Sequence, residues 1–176
     1  VVASDDGVNV AGGADGSGMN PATQGGPQDM FAAAGDYLLS INGGTLVVNA
    51  NGDGLDSNGT ISMSGGTVLV DGPTNDGNGA LDHFGFTISG GVLLAAGSSG
   101  MAQAPDASSN QLSVLIYFTS VLPAGTPVHI ENSAGEEVIT FIPSKQFSSL
   151  AFSSPALVEG KTYTIYTGGS SNSDGA

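Results

Sequence analysis

The chain has 176 residues and a formal charge of −14, set by 16 acidic side chains against only Lys145 and Lys161. So few cations exclude a nucleic-acid surface, which needs clustered Lys and Arg to neutralise phosphates, and equally exclude an anionic-membrane patch. No cysteine is present, so disulfides and thiolate metal sites are excluded, while 39% apolar and 10% charged residues make a foldable balance.

The first element carries Asp5 and then Asp6-Gly7-Val8-Asn9, followed by a Gly-, Pro- and Ala-rich stretch over residues 14–36 that reads as a surface insertion. Three segments then align without a gap: LSINGGTLVVNA from Leu39, ISMSGGTVLVDG from Ile61 and FTISGGVLLAAG from Phe86. Their starts lie 22 and 25 residues apart, a length suited to one coil of a β-solenoid and too short for a βαβ unit of about 30 residues. Within each segment Leu39, Ile61 and Phe86 form an apolar column, as do Ile41, Met63 and Ile88, with Ser40, Ser62 and Thr87 between them. That is the period of two expected of a strand with one buried face. A glycine pair supplies a sharp bend, and a second strand follows in which Leu46, Val68 and Leu93, and Val48, Val70 and Ala95, point inward. The column between them, Val47, Leu69 and Leu94, is apolar where a polar one is expected. Either the C-terminal segment covers it, or a bulge turns it inside.

The turns between coils are acidic. Asp53-Gly54-Leu55-Asp56 aligns with Gly79-Ala80-Leu81-Asp82, and Asp6-Gly7-Val8-Asn9 fits the same frame. Leu55, Leu81 and Val8 are expected to point inward, and Asp56, Asp82 and Asn9 to stack outside at the spacing of neighbouring strands, about 4.8 Å. Carboxylates that close repel by roughly 1 to 3 kcal/mol at an effective dielectric between water and a protein surface. Asp5, Asp53, Asn58, Asp76 and Asn78 lie close in sequence and add oxygen atoms, and no Lys or Arg occurs before residue 145. A bound cation resolves the conflict. Calcium, which takes six to eight oxygen ligands in irregular geometry, fits better than octahedral magnesium. The competing reading is that Asp, Asn and Gly are simply good turn formers.

After residue 110 the composition changes. Every Glu and both Lys lie beyond it, and every Asp but Asp174 before it. QLSVLIYF, TPVHIENS, GEEVITFI and KTYTIYTG read as strands of a small antiparallel unit over residues 111–168, with residues 169–176 as a tail. The expected architecture is all-β: a right-handed parallel β-helix over residues 1–110, closed by that C-terminal element.

The blocks SDDGVNVAGG, VNANGDGLDSNGTISMSGGTVLVDGPTNDGNGALD and AAGSSGMAQAP resemble the calcium-binding parallel β-helix carbohydrate-binding domains of bacterial cell-surface proteins, which are similar in fold to family-nine pectate lyases. The resemblance implies calcium ligands at Asp5, Asp6, Asn9, Asp53, Asp56, Asn58, Asp76, Asn78 and Asp82, and binding of acidic polysaccharide such as polygalacturonate at the cell surface. The family's domains have additional coils upstream, and this sequence departs from that pattern in starting at Val1, inside the repeat. A lyase of that kind needs a Lys or Arg base, and residues 1–144 contain neither, so a non-catalytic binder is expected. His83, the one ionisable base beside the acidic column, is a candidate sugar contact. The rival reading is structural: unpaired strand edges of the first coil could be extended head to tail into an extracellular filament.

Overall fold

The computed structural model describes residues 1–10 and 36–169. Nearly all of the insertion expected over 14–36 and of the tail expected over 169–176 lies outside the described residues. Among the described residues there are thirteen strands and no helix, so the protein is all-β.

Strands β1 (Val2–Ala3), β2 (Val8–Val10), β3 (Leu38–Ile41), β4 (Thr45–Ala50), β5 (Leu55–Met63), β6 (Thr67–Asp71), β7 (Leu81–Ile88) and β8 (Val92–Gly97) divide between two sheets. The first orders β1, β4, β6 and β8, all parallel. In the second, β5 pairs in parallel with β7 on one side and with both β2 and β3 on the other. Val8 faces Leu55 and Leu38 faces Thr60, so β2 and β3 lie on the same side of β5, one after the other along it.

The register follows the aligned repeats. Leu39, Ile61 and Phe86 pair across three strands, as do Ile41, Met63 and Ile88, and Leu46, Val68 and Leu93. Nearly all of these side chains are buried in one cluster between the sheets, with Leu39 and Leu46 at its margin. The bend glycines Gly44, Gly66 and Gly91 adopt φ of 79°, 94° and 95°, the left-handed region open to glycine. Stacking adds a second demand, since a Cβ on Gly91 would lie 2.6 Å from the carbonyl oxygen of Gly66.

The remaining strands are β9 (Ser113–Leu122), β10 (Val128–Asn132), β11 (Glu137–Phe141), β12 (Phe147–Ser153) and β13 (Tyr163–Thr167). Strands β11, β10 and β13 form an antiparallel sheet of their own. Strand β12, in contrast, pairs antiparallel with β8, and β9 with β12. The first sheet is therefore mixed, and it runs on past residue 110, where the composition changes. Every residue of β12 is buried.

This arrangement decides the outer apolar column. The pairing of β4, β6 and β8 is continuous, which rules out a bulge. Leu94 is 2% exposed and packs with Leu150, Phe152, Val128 and Ile130, and Leu69 is half-buried against the same cluster. Val47, at the far end of the column, remains 51% exposed. The C-terminal strands thus cover two of the three residues.

Candidate metal centre at the acidic corner

Parallel pairing of β2, β5 and β7 stacks Val8, Leu55 and Leu81 in one column and Asn9, Asp56 and Asp82 in the next. Leu55 and Leu81 are buried in the core, with Val8 packed against it. The second column does not face outward throughout, as the alternation predicts. Asn9 is exposed and Asp82 half-buried, but Asp56 is only 7% exposed. The reason is position: Asp56 lies on the middle strand, flanked on both sides, whereas Asn9 lies on an edge.

Three residues earlier, in the first two repeats, the carboxylates of Asp6 and Asp53 act as backbone acceptors. Asp6 Oδ1 accepts the amide N–H of Asp53 at 2.8 Å, and Asp53 Oδ1 accepts that of Gly79 at 2.6 Å. These bonds continue a ladder in which Gly7 N–H donates to Asp53 O and Gly54 N–H to Gly79 O. Charge-assisted acceptors of this kind are about twice as strong as neutral ones. Asn9 Nδ2 also donates to Asp6 Oδ2 at 3.0 Å.

Burial pushes the Asp53 carboxyl up to about 6. The Gly79 N–H opposes the shift, while the charges of Asp82, Asp6 and Asp5 reinforce it. Gly52 fits against the same group, since a Cβ there would lie 2.3 Å from Asp6 Oδ1 and 2.9 Å from Asp5 Oδ1. Asp5, Asp6, Asp53 and Asp82 therefore gather at one corner of the coils, with Asp56 in register beside Asp82. Asn58 sits where β5 bulges, between the pairs Ser57–His83 and Thr60–Gly85. Asp76 and Asn78 have other neighbours: Asp76 Oδ1 accepts Gly100 N–H at 3.1 Å, and the Asn78 carbonyl accepts the Ser98 hydroxyl at 3.2 Å.

Among the described residues, no three His, Asp or Glu side chains converge as a ready-made metal group. A hard cation fits the corner in another way. The available donors are carboxylate, amide and carbonyl oxygens, the set calcium takes, and Asp53 ionises against three neighbouring negative charges that a cation would offset.

The two ring nitrogens of His83 are buried and have no hydrogen-bond partner among the described residues. Its ring meets that of Phe86 edge-on at 5.5 Å. Burial lowers the His83 pKa, against the pull of Asp106 and Asp82. In this conformation the imidazole offers no nitrogen to a passing polymer.

Other contributors carry no motif. Gln103 Oε1, Asp106 Oδ2 and Ser109 Oγ accept the edge amides of His83, Phe86 and Ile88, and Gln103 Nε2 reaches Asp82 Oδ1 at 3.2 Å. Acceptors at every third position opposite a strand edge are the signal that could have found them. Lys145 donates to the carbonyl of Ala50 and, at 3.0 Å, to Asn51 Oδ1. Burial lowers its pKa while Asp71 raises it. Ser144 bonds both Asp71 and Asn49. Contacts that span more than seventy residues leave no local trace in a sequence. Comparisons with protein-family models, curated proteins and solved structures return no match.

Proposed function

We propose that the chain is a right-handed parallel β-helix that binds acidic polysaccharide of the polygalacturonate type through calcium, without catalysis, outside the cell or at its surface. The observation that carries this reading is the crowding of Asp53 by Asp82, Asp6 and Asp5 beside the Asp56–Asp82 pair. Among the described residues no ion pair engages Asp53 or Asp82. Asp53, Asp56, Asp82, Asp5 and Asp6 would hold the ion, with Asn9 and Asn58 beside them and Asp76 and Asn78 as a separate pair. When bound, calcium would supply a positive centre that joins protein carboxylates to uronate carboxylates, which otherwise repel an acidic chain. The likeness to cell-surface carbohydrate-binding domains belongs to the same reading. Lys145 supports a non-catalytic role, since its amine is spent on Ala50 and Asn51.

The alternative, a head-to-tail filament, has less support. The edge of β8 is taken by β12, and that of β7 is met by Gln103, Asp106 and Ser109. A neighbouring first coil finds little free edge there.

Affinity electrophoresis in polygalacturonate tests the proposal. Retardation with calcium that disappears on adding a chelator is the expected result. Equal retardation in both gels refutes the calcium bridge, and none in either refutes the ligand.

A further inference from the structure

The pairing of β9 with β12 breaks at one place. Tyr117 lies opposite Ser149 and Leu122 opposite Phe147, so β9 takes five steps where β12 takes two. A bulge of that size bends a strand and redirects its side chains, and bulges gather next to binding sites. Here the displaced residues 118–121 wall a cavity of about 260 Å³, closed on the other side by the β6–β7 turn, the residues after β8 and the start of β12.

Most of the lining is hydroxyl and amide. Thr119 and Ser120 from the bulge face Thr74, Ser99, Gln146 and Ser148, all neutral groups that both donate and accept hydrogen bonds. Half-buried Phe118, packed edge-on against the buried Phe147 with ring centroids 5.4 Å apart, supplies the apolar part. Asp76 is the only charged residue of the lining, and no Lys, Arg or His belongs to it. An anionic ligand would meet one carboxylate and no cation. The volume lies below the roughly 300 to 1,000 Å³ of pockets for drug-sized ligands, which limits the occupant to a single ring. Alternating hydroxyls with an apolar C–H face describe a neutral sugar.

We propose that the bulge cavity is a binding site for one neutral, hydroxyl-rich sugar ring, occupied without any metal. It is separate from the acidic corner, whose residues Asp53, Asp56 and Asp82 do not line it; of the candidate calcium ligands only Asp76 does, and working in chelator keeps the test independent of the calcium reading.

Two-dimensional amide NMR of the whole chain in chelator tests it, with glucose, galactose, xylose and galacturonate as probes. The expected result is saturable, millimolar binding of at least one neutral sugar, with shifts confined to Ser99, Thr119, Ser120, Gln146 and their neighbours. Galacturonate should bind at least about tenfold more weakly. Ser120→Trp fills the mouth from an exposed position and should abolish the shifts, and Gln146→Ala should weaken binding. Three results overturn the proposal: no saturable shift with any neutral sugar, binding unchanged in both variants, or galacturonate bound as tightly as the neutral sugars.

Discussion

The outer face of the first sheet and the acidic corner are built from the same repeats, yet they are held together in opposite ways. Across the face, Val47, Leu69 and Leu94 stack as an apolar column, and the C-terminal strands bury its Leu94 end under Leu150 and Phe152. Burial of that kind is favourable without any additional partner, at about 25 cal/mol per Å². At the corner, stacking brings Asp56 beside Asp82 and crowds Asp53 with three carboxylates, Asp82 among them. The same geometry that helps an apolar column opposes an acidic one. On the proposed reading a bound cation offsets that repulsion, which would link the stacking of the repeats to the ligand.

The largest effect is expected on the apolar side. Phe152 is fully buried against Leu94, and Phe152→Ala should cost about 3 to 5 kcal/mol in urea unfolding, with Leu94→Ala close behind at about 2 to 4. If both changes cost less than about 1 kcal/mol, the C-terminal strands are not the cover described.

On the calcium reading, the corner should respond to added calcium. Calcium at a hundred times its dissociation constant should add about 2.7 kcal/mol of stability, read as a rise in melting temperature that Asp82→Asn removes. In chelator the sign reverses for Asp53. Its pKa in the folded chain, about 6 against an ordinary 3.8, means that the folded state holds the proton more tightly than the unfolded one. Its contribution is present below about pH 4 and lost as the pH rises through 6. Asp53→Asn keeps the acceptor for Gly79 N–H and removes the charge. At pH 8 without calcium it should melt about 2 to 4 °C above the wild type, a gain that shrinks towards pH 4. A gain that persists at pH 4 would place its origin elsewhere.

The smallest effect belongs to the uncovered end of the apolar column. Val47→Thr should change stability by no more than about 0.5 kcal/mol, in contrast with Leu94 two strands away.

How far the sequence could be read depends on the same contrast. Wherever neighbouring residues lie one repeat apart, alignment alone yields the pairing, as for Leu46, Val68 and Leu93 or Asn9, Asp56 and Asp82. Strand β12 gives no such sign. Its sequence FSSLAFS is buried on both faces, with Ala151 in one cluster and Leu150 and Phe152 in the other, so it lacks the alternation that marks a half-buried strand. Two of its three serines are satisfied by distant carbonyls, Ser149 by Ser98 at 2.6 Å and Ser153 by Leu112 at 2.7 Å. The burial of Asp56 escaped for a related reason. Period two assigns it to a face, but only the count of strands on either side says whether that face is covered.

Isothermal titration of the metal-free chain with calcium tests the central claim most directly. The account predicts saturable binding in the wild type that Asp53→Asn and Asp82→Asn each weaken by at least about tenfold, roughly 1.4 kcal/mol. Absence of calcium binding, or binding that neither substitution weakens, would contradict it.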